Sequence, residues 1–180
     1  MTTTTTTKPS WDDLAAANRR ARQSETLEGV AAHQPEVAVL TCADARVSPA
    51  RMFDLPPGAL FVVRVAGASA TVEAVASLAY AVGDLGVTTV VVLGHTHCGA
   101  VTAALDGNPE PALAPLVTPI HPNLGACEDL ECAVPAHVSA TVTALVCDPG
   151  PLGDALRNGR AVAHGAVVDL ADGSLTRLNT

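Results

Sequence analysis

The stretch "VTTVVVLGHTHCGAV", Val87–Val101, runs a block of valines into two histidines and a cysteine. A short, continuous apolar run bounded by turn residues reads as a strand buried on both faces. His95 and Cys98 then stand just past its end, at a turn where side chains can point at a site. Working outward, "EVAVLT" reads as a first strand ending at Thr41 and "ALFVVRVAG" as a second. Between them "VSPARMF" offers Ser48 as a helix cap, with Pro49 at the first helical position. In "TVEAVASLAYAVGDLG" the residues Val72, Val75, Ala76, Ala79 and Val82 recur at helical spacing, and Gly86 suits the end of that helix. Val138, Val142 and Leu145 mark a later helix, and "LGDALRNG" a shorter one closed by Gly159. "AVAHGAVVDL" with "SLTRL" reads as a strand and hairpin around Asp172-Gly173. Strands alternating with helices predict an α/β fold: a mainly parallel central β-sheet flanked by helices, with a C-terminal hairpin strand. Ligands in such sheets gather at the carboxyl ends of the strands.

Composition narrows the possible functions. With 180 residues and 48% apolar content, the chain can bury a sizeable core as one domain, expected over residues 10–180. The threonine-rich start, residues 1–9, is expected to be a disordered tail, followed by a helix starting at Ser10 with a capping-box-like Asp13. A net charge of −8 with one lysine, Lys8, disfavours nucleic acid and acidic membranes as partners, since both require clustered cations. No run reaches the ~20 apolar residues of a membrane span, and "MTTTTTTKPS" lacks the regions of a signal peptide, so a cytoplasmic protein is expected. Five cysteines without an export signal point to thiols or metal ligands rather than a disulfide framework. Residues 108–122 hold five prolines and are expected to form a loop.

If the strands are as read, Cys42 lies just past strand one, and His95 and Cys98 just past strand three, on one rim. Two thiolates and an imidazole suit zinc, and three protein ligands leave a fourth position open, as in catalytic rather than structural sites. Each residue also has a simpler role. Cys42 alone could be a small buried hydrophobe. Asp44 and Arg46 could be a loop ion pair worth under ~1 kcal/mol if exposed. Cys127 and Cys132 are competing ligands with looser spacing than common zinc knuckles. Cys147 reads as packing, His97 as a residue beside the site or in solvent, and His121, His137 and His164 as structural or surface groups.

"CADARVSPARMFDLPPGALFVVRVAG" followed by "LAYAVGDLGVTTVVVLGHTHCGAV" resembles the β-class carbonic anhydrases, whose signature pairs Cys-x-Asp-x-Arg with His-x-x-Cys. The likeness is densest from Pro35 to Val101, and "GRAVAHGAVVDLADGSL" resembles the family's closing strand and hairpin. The resemblance implies a zinc ion (Zn2+) on Cys42, His95 and Cys98, with Asp44 and Arg46 as the catalytic dyad beside it. It implies a lyase in which a zinc-activated hydroxide attacks carbon dioxide to give bicarbonate, a scaffold that also supports hydrolysis of carbonyl sulfide or carbon disulfide. Phe61 and Tyr80 match the family's substrate pocket, with Gly99 after the second cysteine. His33 stands nine residues before Cys42, where many members have glutamine, and Gln34 is its neighbour. The family's Ala-Gly-Asn after the second strand is here Ala66-Gly67-Ala68. A homodimer or homotetramer is implied, with Trp11 and Leu14 as candidates for packing on a partner subunit. Zinc can bring the pKa of its water from 15.7 to about 7 with three neutral histidines. Two thiolates offset much of that pull, so Asp44, kept charged and turned by Arg46, would orient the nucleophile, and His33 or His97 could carry the proton away.

Overall fold

The structure, a computed structural model, describes residues 10–24, 33–107 and 109–180. The tail expected over residues 1–9 lies outside them. Helix α1, Trp11–Ser24, belongs to a unit spanning residues 1–32. It starts as expected: the Asp13 amide donates to Ser10 Oγ at 3.2 Å and the Ser10 amide donates back to Asp13 Oδ2 at 2.8 Å, a reciprocal capping box. The second unit, His33–Thr180, carries the sheet.

Its strands are β1 (Val37–Thr41), β2 (Leu60–Arg64), β3 (Thr89–His95), β4 (Val162–Val168) and β5 (Leu175–Arg177), in the order β2-β1-β3-β4-β5. All neighbours are parallel except β4 and β5, which form the expected hairpin. The helices are α2 (Pro49–Met52), α3 (Val72–Gly83), α4 (Gly99–Asp106), α5 (Ala114–Val117), α6 (Leu130–Val146) and α7 (Pro151–Arg157). The central strands are buried on both faces because each face meets its own apolar cluster. Ala38, Leu40, Val90 and Val92 pack with Leu78 of α3, Val138 and Leu145 of α6, and Leu152 of α7. Val39 and Leu93, at the alternate positions, pack with Val47, Ala166 and Val168 on the other face.

Helix α3 forms where its pattern predicts, capped by Thr71 Oγ1 accepting from the Ala74 amide at 3.3 Å. Its buried face coincides with the predicted stripe only in part: Val75, Ala79 and Val82 pack partly buried against the core. Ala74, Leu78 and Ala81 are buried, while Val72 and Ala76 are exposed. The helix is apolar nearly all round, and the stripe holding Leu78, its bulkiest aliphatic side chain, faces the sheet. Gly86, at φ +74°, sits just past the helix end and turns the chain into β3.

Three further differences from expectation have local causes. The proline-rich 108–122 stretch is largely short helical turns: Pro111–Leu113, α5 and His121–Asn123. Each carries a proline in its first turn, where a missing amide hydrogen costs nothing. Helix α6 starts well before Val138, because Asp129 caps it by accepting from the Cys132 amide at 2.9 Å and Pro135 is tolerated inside. Cys127 and Cys132 are joined as a disulfide across that cap, so they are neither free thiols nor metal ligands. Among the described residues, no single helix is long and apolar enough to cross a membrane.

Helix α6 approaches β3 closely at Gly94, where a β-carbon would fall 2.5 Å from Val138 Cγ2 and 3.3 Å from Val134 Cγ1. Gly94→Ala is therefore expected to cost ~1–3 kcal/mol of stability through overpacking. Urea unfolding monitored by circular dichroism checks this; an unchanged midpoint would mean that the contact yields freely.

Candidate metal centre

The register of β1 and β3 builds the site. Thr41 pairs with Leu93, so Cys42, one residue on, stands level with the end of β3, which extends through His95 itself. Thr41 Oγ1 pins this rim by donating to Leu93 O at 2.9 Å. The chain turns sharply at His97, φ +57°, and delivers Cys98 to the cap position of α4. Cys42, His95 and Cys98 are all buried, and one ligand atom from each lies within 4.8 Å of the others. The two Sγ atoms are 3.9 Å apart, against ~3.8 Å for two thiolates 2.3 Å from a shared tetrahedral zinc.

The imidazole supplies the sharper test of fit. His95 Nδ1 is 2.9 Å from Thr96 O, which can only accept, so Nδ1 carries the hydrogen and Nε2 presents its lone pair. That Nε2 is buried and has no hydrogen-bond partner, the one such side-chain atom among the described residues. An unmade bond of this kind costs ~1–3 kcal/mol, and a cation between Nε2 and the two sulfurs would satisfy it.

The carbonic anhydrase family profile matches residues 37–175, a span that holds every one of these donors. Carbonic anhydrase 2 of Mycobacterium tuberculosis is 34% identical over 159 residues, covering 81% of this chain and 75% of its own. The chain belongs to the β-carbonic anhydrase family. Among solved structures, the β-carbonic anhydrase CafA of Aspergillus fumigatus superposes with a TM-score of 0.75 at 26% identity, covering 93% of this chain and 87% of its own. One of the two tetrameric β-carbonic anhydrases of Sordaria macrospora superposes with a TM-score of 0.76, covering 94% of both chains at 24% identity, and shares the fold.

Beside the β-carbonic anhydrase donor set, Asp44 and Arg46 make more than a single contact. Arg46 Nε donates to Asp44 Oδ1 at 2.9 Å, Nη2 donates to Oδ2 at 2.7 Å, and the Arg46 amide adds a third bond to Oδ1 at 2.9 Å. The guanidinium fork, more than any other contact, holds the Asp44 carboxyl well below the usual carboxylate range. Asp44 Oδ2 lies 3.9 Å from His95 Nε2. Arg46 Nη2 also reaches His97 O at 3.3 Å, while the His97 ring is exposed.

Arg64, which the sequence reading passed over, fixes the backbone of this segment. Its Nε donates to Cys42 O at 3.0 Å and its Nη2 to Asp44 O at 2.6 Å. The available signal was a lone cation closing the apolar strand "LFVVR". The Gly67 amide donates to Cys42 Sγ at 3.3 Å from a turn of 3-10 helix, Ala66–Ala68, in which Gly67 and Ala68 both have positive φ.

The pocket residues matched through the family do not all meet the donor set within one chain. Gly99 is the exposed first residue of α4, next to Cys98. His33, Phe61 and Tyr80 do assemble: His33 stacks on Phe61 at 6.1 Å between centroids, and Phe61 tilts against Tyr80 at 6.2 Å. Gln34 is exposed alongside. Phe61, however, is level with Ala38, four residues before Cys42 and so about 13 Å down the strand. His121 bonds Ala104 O and His164 contacts Arg177, both structural roles as expected.

The two thiols share their protons unequally. The Cys98 thiol most of all, then the His95 ring and the Gly67 and Asp44 amides, favour a Cys42 thiolate, whose pKa falls to about 4 against burial, and that thiolate pushes Cys98 up. In metal-free protein the 240 nm thiolate absorbance, taken as parent minus Cys42→Ser, is expected to show one equivalent already ionised at pH 7. A difference that emerges only above pH 8 would contradict this electrostatic reading.

Proposed function

We propose that the chain catalyses the reversible hydration of carbon dioxide to bicarbonate at a zinc ion held by Cys42, His95 and Cys98, as a carbonate dehydratase. The observation that carries the proposal is the buried, unpartnered Nε2 of His95 facing two thiols, with a restrained carboxylate 3.9 Å away. Membership of the carbonic anhydrase family supports the reaction. Bound there, zinc would supply Lewis acidity, lowering the pKa of a water so that hydroxide is available near neutral pH.

The chain's own groups do the rest. The thiolates of Cys42 and Cys98 offset part of the metal's charge, which raises the pH at which the nucleophile forms. Asp44, ionised throughout the working range, accepts a hydrogen bond at Oδ2 and so turns the attacking oxygen's lone pair toward substrate. Arg46 keeps that carboxylate from swinging onto the fourth ligand position, and Arg64 holds the peptide segment from which Asp44 projects.

The aromatic group supports assembly. Phe61 lies about 13 Å along the strand from its own chain's donor set, with Tyr80 against it, so a role beside substrate would call for a second copy's site. Exposed Val72 and Tyr80 of α3 offer an apolar surface for that copy. The Sordaria macrospora β-carbonic anhydrases are described as tetrameric, which is in keeping with a homo-oligomer here. Trp11 and Leu14, exposed on α1, are additional candidates for partner contact.

The test loads the protein with zinc and measures metal content, carbon dioxide hydration by stopped flow, and sulfide release from carbonyl sulfide. One zinc per chain and dominant hydration are expected, with rates rising above neutral pH as the nucleophile deprotonates. Cys98→Ser should lose zinc, because three ligands leave no spare. Asp44→Asn and Arg46→Ala should keep zinc and lose hydration by ~100-fold or more. Near-parental rates in either variant would reduce the dyad to a loop ion pair, and faster carbonyl sulfide hydrolysis would reassign the substrate. Light scattering at micromolar concentration should show a multiple of the 18.2 kDa chain.

A further inference from the structure

His137 of α6 is 1% exposed, yet it touches none of the atoms invoked above directly. Its ring stands between two others. Asn123 Nδ2 donates to His137 Nδ1 at 3.0 Å and to Pro119 O at 3.2 Å, so both amide hydrogens are committed and Nδ1 acts as acceptor. The ring hydrogen is thereby placed on Nε2, which donates to Gly67 O at 2.9 Å, with Ser69 Oγ at 3.4 Å. Burial holds the imidazole neutral by lowering its pKa, in keeping with one acceptor and one donor nitrogen.

Gly67 is the residue whose own amide donates to Cys42 Sγ. Its φ of +79° suits glycine, and the turn gains no support from a side chain of its own. What fixes the turn comes from outside: His137 grips its carbonyl, and Ile120 packs so closely that a β-carbon on Gly67 would lie 2.5 Å from Ile120 Cδ1. Asn123 and Ile120 both come from the short helical turns of the proline-rich stretch. That stretch, otherwise remote from the reaction, thus bears on one sulfur.

We infer that His137 is a positioning residue for the metal centre: locked by Asn123 as the Nε2–H tautomer, it holds the Gly67 turn so that the Gly67 amide hydrogen-bonds the Cys42 sulfur and keeps it aimed at the metal. The inference rests on the reading of Cys42 as a zinc ligand. It acts through the sulfur, so its signature is the strength and electronic character of the metal–thiolate bond. A hydrogen bond to a thiolate stabilises the sulfur lone pairs, and its loss moves a thiolate-to-metal charge-transfer band to lower energy. Outer partners of this kind change metal retention by ~10–100-fold.

The experiment compares parent, His137→Asn, His137→Gln and Asn123→Ala, each checked for folding by circular dichroism. Zinc release to a chelator and the thiolate-to-cobalt band of cobalt-loaded protein are the readouts. His137→Asn, too short to reach Gly67 O, should release zinc at least ~10-fold faster and shift the band to lower energy. His137→Gln can place an amide nitrogen where Nε2 stood and should restore both readouts toward parent. Asn123→Ala, which frees the tautomer, should shift both in the same direction by less. If His137→Asn does not fold, Asn123→Ala decides the question. Parental release and band position in the folded variants would overturn the inference while leaving the zinc site intact, whereas a parent that took up neither metal would overturn the zinc site and this inference together.

Discussion

The parallel register of β1 on β3 is the constraint from which the site follows. Side chains alternate along a strand, so a slip of one residue would carry Cys42 to the opposite face and leave His95 and Cys98 without the second sulfur. The register is fixed by valine and leucine packing on both faces, by Thr41 Oγ1 on Leu93 O, and by the close seat of α6 against Gly94. The polar centre therefore inherits its geometry from an apolar sheet. Neither cysteine, nor the histidine, has to pay for its own ordering.

Around that rim the arrangement is layered. Two thiols and an imidazole form the inner set, and every member has an outside partner: Gly67 N on Cys42, Thr96 O on His95, and the start of α4 at Cys98. The exposed guanidinium of Arg46 holds one carboxylate and the His97 carbonyl, and exposed Arg64 holds two backbone carbonyls. In a chain with only 10 lysines and arginines, two of them secure one five-residue segment. That concentration ties the loop between β1 and α2 to itself through Arg46 and to the end of β2 through Arg64.

Much of this was legible in the sequence, and the parts that were not share a cause. Strands β1 to β4, the hairpin and the rim holding Cys42, His95 and Cys98 could be read because period, turn residues and ligand chemistry are local properties. The buried face of α3 was legible only in part, through Val75, Ala79 and Val82, because nearly every side of that helix is apolar and periodicity does not single out one face. The helical turns at Pro111, Pro115 and Pro122 were masked by the residue that signals a loop, although proline suits a first turn equally well. The double grip of Arg64 and the relay from Asn123 through His137 to Gly67 join residues whose proximity only the tertiary fold creates, and the Cys127–Cys132 bond spans the Asp129 cap that starts α6 between them. Phe61 and Tyr80 were assigned to the pocket by likeness alone, and the register shows their distance from their own chain's sulfurs.

The disulfide at the start of α6 has a thermodynamic corollary. Its two cysteines are only five positions apart, so the ring removes little freedom from the unfolded chain, about 2 kcal/mol by loop entropy. Most of what holds that helix, the Asp129 cap and the buried Ala133, Val134 and Val138, is indifferent to the oxidation state of sulfur. The bond therefore adds stability at one corner, and its reduction would cost about that amount while leaving in place the contacts that seat the helix.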